Sequence, residues 1–219
     1  MKRRSFLKAG TAGSLCGAGL ATVESQAKEE SRELPLYSHT PTETEGPFYP
    51  VIAQKDKDFD LTKVKGSKEQ ALGEYIDIYG AVIDTEGNPV EDATVDLWQA
   101  NAAGRYLHPH DSNSAPIDEN FQGWAIVLSG RDGGFQLRTV IPGIYPVGSD
   151  WSRPPHIHFK VSKRGYVELT TQMYFPEHPL NQVDKLLQRK SKEEQKLMIA
   201  EKSPDKPNTF YYRLVIEKA

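Results

Sequence analysis

The chain reads as an all-β domain, and three observations predict it. Short segments of alternating apolar and polar residues recur along the sequence, separated by Gly-, Pro- and Asp-rich turns. Fifteen Pro and 17 Gly supply many more turn positions than a helix bundle uses. Helical spacing is confined to a stretch near the C-terminus. At 219 residues the chain has room for one domain of sandwich or barrel size, and 37% hydrophobic residues are enough for its core.

The first residues are an address rather than fold. Arg3-Arg4-Ser5-Phe6-Leu7-Lys8 has the twin-arginine pattern. A mild run rich in Gly and Ala follows, and Ser25-Gln26-Ala27 offers a cleavage site. The run is too short and too weakly apolar for a membrane anchor. Residues 1–27 are therefore expected to be a signal peptide. Residues 28–40 are expected to be a charged linker, and 41–219 the domain. The mature protein would be exported, periplasmic or extracellular, and free of the membrane. Cys16, the only cysteine, falls in the signal, so the mature chain has neither disulfides nor thiolate ligands. Residues 1–27 carry net +3, which leaves −6 for the rest of a chain at −3. That balance argues against nucleic acid or an anionic membrane as partner.

Within the domain, Gly46-Pro47 marks a turn with Phe48 and Tyr49 directly after it, either a surface loop or the lining of a pocket. Residues 51–73 are charged and irregular. Strands are expected at 75–83, 93–98, 123–128, 134–140, 156–161, 169–175 and 209–216. Asp84-Thr85-Glu86-Gly87-Asn88-Pro89 and the Gly-rich stretch 130–134 are turns. Leu180, Val183, Leu186 and Leu187 have helical spacing, and Ser191 with Glu194 fits a capping box before Leu197 and Met198. The charge of 185–202 predicts a solvated excursion.

The stretch Trp151 to Val161 organises the rest. On a strand His156, His158 and Lys160 share one face, and Ile157, Phe159 and Val161 the other. Two imidazoles pointing the same way can reach one metal ion. Pro154 and Pro155 stiffen the approach, and Arg153 stands at its mouth. Alone, such a pair is the ordinary pattern of half-buried polar residues on a solvent face. Tyr106 and Tyr145 sit in turn-rich settings, where each alone would be a packing residue. With the histidines they could instead make a four-ligand set of two phenolates and two imidazoles. Phenolate is hard and anionic, with an ordinary pKa near 10, and loses its proton at neutral pH only to a strongly acidic metal. Two phenolates suit Fe(III) better than Zn(II) or Fe(II), and the absence of thiolate argues against structural zinc and iron–sulfur clusters.

Six motifs occur in order: Gly46-Pro47-Phe48-Tyr49-Pro50, Asp96 through Tyr106, Ala115-Pro116-Ile117-Asp118, Pro142-Gly143-Ile144-Tyr145-Pro146, Arg153 through Phe159, and Thr171-Gln172-Met173-Tyr174-Phe175. Together they resemble the intradiol ring-cleavage dioxygenases, in particular the protocatechuate 3,4-dioxygenase branch. The resemblance spans roughly residues 40–178. It implies a β-sandwich and one non-haem Fe(III) per active site, with Tyr106, Tyr145, His156 and His158 as ligands. It implies that Tyr145 is the axial tyrosinate displaced by substrate and then a base, that Arg153 stabilises the electron-rich ring, and that Gln172 lines the pocket. The partners implied are a catechol-type substrate and O2, and the product a cis,cis-muconate-type diacid. A homo-oligomer is left open.

The chain departs from the family at Val147-Gly148, where an aromatic is usual, and after Pro179. It also lacks room for the helical N-terminal domain of catechol 1,2-dioxygenases. His108 and His110 lie near Tyr106, on a loop surface or facing substrate; His39 and His178 have no argued role. Two rival readings remain. The stretch 82–95 also resembles transthyretin-like and carboxypeptidase-regulatory-like sandwiches, which need no metal. The His pair with a carboxylate would suit an Fe(II) or Mn(II) cupin-like oxygenase. Colour discriminates, because tyrosinate–Fe(III) charge transfer is red.

Overall fold

Strands form where the alternation is cleanest. The computed structural model describes residues 37–54 and 56–219, so the twin-arginine segment and the linker up to residue 36 lie outside the described residues. The elements run β1 (Tyr75–Asp84), β2 (Thr94–Trp98), β3 (Trp124–Leu128), β4 (Gly134–Val140), β5 (Tyr145–Pro146), β6 (Ser152–Arg153), β7 (His156–Ser162), β8 (Leu169–Tyr174), α1 (Lys192–Met198), β9 (Glu201–Lys202) and β10 (Thr209–Ile216). Each of the seven expected strands is present with boundaries within a residue or so. The two-residue strands β5, β6 and β9 carry too little pattern to be read from sequence.

Two four-stranded sheets stack as a sandwich, in the orders β4-β1-β10-β9 and β3-β2-β7-β8. In β1 the residues Ile76, Ile78 and Val82 are buried. β1 pairs parallel with β10 and antiparallel with β4. From the facing sheet come Val95 and Leu97 of β2 and Ile157, Phe159 and Val161 of β7, all with no exposed surface. These inward sets form one apolar cluster between the sheets, each large side chain contributing about 1.5–3 kcal/mol of burial. β3 and β4 do not pair with each other. The Gly-rich turn between them carries the chain from one sheet to the other.

The segment before β1 lies along this frame. Of the stretch expected as linker, Tyr37 donates its N–H to the Thr85 carbonyl and Thr40 to the Val215 carbonyl. Farther on, Glu43 donates to the Thr170 carbonyl at β8, which brings the Gly46-Pro47 turn to the end of the second sheet.

The excursion after β8 corrects one expectation. The helical spacing of Leu180–Leu187 yields two 3-10 turns, Pro179–Gln182 and Leu187–Arg189, and the capping box at Ser191 and Glu194 forms as expected at the start of α1. The stretch is not simply solvated: Leu187 and Met198 are fully buried and pack on Tyr174. Its many charges face water, while two apolar side chains plug it onto the sheet. Among the described residues no helix is long and apolar enough to cross a membrane.

Candidate metal centre

The site sits on the far side of the second sheet from the core, at one end of β2, β7 and β8. Strand register assembles it. His158 of β7 lies opposite Trp98 of β2 on one side and Gln172 of β8 on the other. His156 lies opposite Tyr174. The period of two that sends Ile157 and Phe159 into the core sends both histidines outward, where they are nevertheless buried. Tyr145 of β5 pairs with Arg153 of β6, so this short hairpin delivers a phenol and a guanidinium side by side.

Tyr106 comes from the loop after β2, held by Asn101. The Asn101 side-chain oxygen accepts N–H groups of Ala103 and Arg105, and its amide donates to the Pro116 carbonyl. The Asn101 carbonyl accepts from Gly104 and Gly143. Here the Tyr106 and Tyr145 loops cross. A Cβ on Gly104, at φ +83°, would stand 2.2 Å from the Ile144 carbonyl oxygen, and one on Gly143 would stand 2.3 Å from the Gly104 nitrogen. Only glycine fits such an approach. Asp111 accepts the Tyr106 N–H at 2.7 Å and anchors the far side of the loop.

Four rings converge. Ring centroids are 5.0 Å apart for His156–His158, 5.6 Å for Tyr145–His156, 5.6 Å for Tyr106–Tyr145 and 6.2 Å for Tyr106–His158. Phe48 covers the pair of tyrosines, 4.8 Å from Tyr106 and 6.2 Å from Tyr145. The Tyr49 hydroxyl donates to Asp96 at 2.7 Å. Of the two readings of the Gly46-Pro47 loop, the pocket lining is therefore the observed one for Phe48.

The electrostatics are those of a site that expects a cation. The Tyr106 hydroxyl, His156 Nε2 and His158 Nδ1 are buried with no hydrogen-bond partner, which in an empty protein interior is costly. His156 Nδ1 lies 2.7 Å from the Pro154 carbonyl, which can only accept, so Nδ1 holds the proton and Nε2 presents a lone pair. Burial, then the Arg153 charge and His158, hold the His156 imidazolium well below the usual range. Burial and Arg153 push His158 down to about 3. Burial, then its neighbour Tyr145, raises the Tyr106 phenol well above its ordinary value, and burial raises Tyr145. Neutral imidazoles are ready ligands. The phenols need a strongly charged metal to lose their protons. The donor set thus fits a ferric ion. Among the described residues no three His, Cys, Asp or Glu side chains come together, so the cupin-like reading finds no carboxylate beside the His pair.

Comparison with known proteins gives the family. The family model described as Dioxygenase matches residues 44–217. The chain belongs to the intradiol dioxygenase family. It is 41% identical over 148 residues to the protocatechuate 3,4-dioxygenase beta chain of Burkholderia cepacia, covering 64% of this chain and 63% of that one. It is 34% identical over 149 residues to chlorocatechol 1,2-dioxygenase of Cupriavidus pinatubonensis, covering 60% and 52%. The chain thus spans between half and two thirds of the length of these curated relatives. Among solved structures, the dioxygenase domain of a dioxygenase–carbohydrate-binding fusion from Streptomyces superposes with a TM-score of 0.62 at 27% identity, covering 83% of this chain and all of that one. The 3-chlorocatechol 1,2-dioxygenase of Rhodococcus opacus superposes at 0.64 and 23% identity, covering 83% and 75%, and shares the fold. The β-sandwich expectation holds.

The fold brings together all six candidate residues read from the sequence: Tyr106, Tyr145, Arg153, His156, His158 and Gln172. Arg153 is buried: Nε donates to Asp184 at 2.7 Å, and Nη2 donates to Gln172 at 2.7 Å and to the Tyr174 hydroxyl at 2.9 Å. Gln172 is itself fixed, because its amide donates to the Thr44 carbonyl. His108 is half-buried against Phe48, His110 is exposed beside it, and His178 caps the first 3-10 turn. Sequence reasoning missed Trp98, Tyr174 and Asp184. Tyr174 was within reach, since it lies two residues from Gln172 on the same strand face. Nothing around Asp184 in the sequence marks it.

Proposed function

We propose that this chain is an intradiol ring-cleavage dioxygenase that uses O2 to open a catechol-type ring, protocatechuate-like or otherwise substituted, between its two hydroxyls. The product is a cis,cis-muconate-type diacid carrying both oxygen atoms. The observation that carries the proposal is the convergence of two phenols and two neutral imidazoles, with the Tyr106 hydroxyl, His156 Nε2 and His158 Nδ1 left without protein partners. One ferric ion per site, held by Tyr106, Tyr145, His156 and His158, would supply the electron withdrawal that makes a bound catechol reactive toward oxygen.

The protein groups have separate tasks. The Tyr145 phenolate is the base for one catechol hydroxyl proton, and burial strengthens it by raising its proton affinity. Arg153, its cross-strand partner, places a permanent positive charge where the ring carbon gathers negative charge. Gln172 holds Arg153 at Nη2 rather than leaving it free to swing. Phe48 closes one wall and keeps water from the tyrosines. His156 is held in one tautomer by the Pro154 carbonyl, so its ring is oriented before any ligand arrives.

We further propose that residues 1–27 direct export by the twin-arginine route, on the strength of Arg3-Arg4 and the run after them. The mature protein then works outside the cytoplasm.

The test is oxygen uptake over a panel of catechols with the iron-loaded protein, together with colour and metal content. Red protein with about one iron per chain is expected, and one O2 consumed per catechol. His158→Ala should lose most of the iron. A colourless iron-loaded protein, or full iron in that variant, would remove the ligand assignment.

A further inference from the structure

Asp184 has no exposed surface, and the excursion after β8 brings it to the site. Its Oδ2 accepts Arg153 Nε at 2.7 Å. Its Oδ1 accepts the Leu187 N–H at 2.8 Å, the Leu186 N–H at 3.2 Å and the Tyr174 hydroxyl at 3.2 Å. Both oxygens of this carboxylate are thus engaged, which offsets the cost of burying it. Two backbone N–H groups of the second 3-10 turn hold one oxygen and leave the other for the guanidinium.

We infer that Asp184 is the positioning residue for Arg153, a role that rests on the activity proposed above. The long Arg side chain loses much rotamer freedom when fixed. Asp184 meets that cost in the folded protein by locking Nε, while Gln172 and Tyr174 lock Nη2. Nη1 is the nitrogen not committed to these three groups. Residues 179–190 thereby have a function: they are the strap that carries a buried carboxylate to the catalytic arginine. Tyr174, with its phenol between Gln172 and Asp184, ties the two anchors together.

A purely structural carboxylate would stabilise the strap whatever stood at 153. A positioning carboxylate acts through Arg153 alone, and a double-mutant cycle separates the two. Wild type, D184N, R153A and R153A/D184N are compared as iron-loaded proteins for kcat, KM with a catechol, iron content and Tm. D184N is expected to keep its iron and lose kcat by roughly 10- to 100-fold, with KM changed less than kcat. In the R153A background D184N should cost no further kcat. It should also raise Tm relative to R153A, because it removes a buried charge left without its partner, an effect on the order of 10 °C. Wild-type kcat in D184N overturns the inference, and so does an equal loss in both backgrounds. Should D184N fold only when Arg153 is also removed, the coupling is supported; should it fail in both backgrounds, Asp184 is structural. The Tm arm needs no turnover. A wild type inactive on every catechol therefore sinks the proposed activity while still deciding whether the two residues act as a pair.

Discussion

The Trp98 indole lies flat on the His158 imidazole, with ring centroids 4.8 Å apart and planes 11° from parallel. The pair is set by strand register, since Trp98 and His158 are direct neighbours across β2 and β7. Trp98 has no exposed surface, and its Nε1–H has no partner. A buried unpaired donor costs about 1–3 kcal/mol. The flat contact with His158 is what the protein obtains in return.

Removing that contact should loosen the metal. Trp98→Phe keeps a flat ring and should hold iron within a few-fold of wild type. Trp98→Leu should lose affinity by roughly 10- to 100-fold, the usual effect of losing a group that orients a ligand. Competition against a chelator measures both. Trp98→Ala should also cost about 3–5 kcal/mol of stability through the cavity it leaves. Undiminished iron affinity in the leucine variant would show that His158 is oriented without the indole.

Arg153 should affect turnover and spare the metal. Arg153→Lys keeps one charge but loses the planar fork that now serves Asp184, Gln172 and Tyr174. Arg153→Ala loses both. Neither removes a ligand, so iron content and red colour should persist, and a catechol should still shift the spectrum under anaerobic conditions. Oxygen uptake should fall on the order of 100-fold or more for alanine, with lysine intermediate. An alanine variant that loses its iron would make Arg153 structural.

Acid should weaken the fold partly through Asp84. Its burial alone would raise the carboxyl. Hydrogen bonds from the Asn88 side chain and backbone, Lys218 and the Glu86 N–H outweigh that and hold it below the ordinary carboxylate range. With the folded value below the unfolded one, the stabilisation is present above about pH 4 and is lost as pH falls through the folded value. Asp84→Asn should cost about 1–2 kcal/mol at neutral pH, and progressively less as pH falls through the folded value. Urea midpoints across that range check this; an acid slope unchanged by the substitution would assign it to other groups.

Export should depend on the arginine pair. With residues 1–35 fused to a reporter, changing Arg3 and Arg4 to Lys should abolish translocation, because the twin-arginine route reads that pair. Export at the original level would remove the signal assignment.

Much of the fold was legible because β structure writes itself locally. In β7 every second residue is apolar, and that alone places Ile157, Phe159 and Val161 inside and the two histidines outside. The capping box at Ser191 and Glu194 was readable because all its bonds lie within one turn. The candidate ligand set could be named because the tyrosines and histidines stand in long, ordered motifs that resemble a known family. The 3-10 turns in place of a regular helix were not, since the spacing of Leu180, Val183, Leu186 and Leu187 suits either. Nor was the depth of the excursion, where a high density of charge hid two buried apolar residues.

By itself the sequence determined the strands, the turns, the face on which the histidines stand and the identity of the four candidate ligands. The strands, turns and faces follow from side-chain period and residue chemistry, which act over a few positions; the four candidate ligands follow from the resemblance of their motifs to a known family. Only the tertiary structure decided that Trp98 lies on His158, that the Tyr106 and Tyr145 loops cross at two glycines, and that Arg153 is clamped by Asp184, 31 residues away. Partners so far apart in sequence meet because sheet register and burial bring them together, and a buried charge takes whichever opposite charge the fold brings within reach.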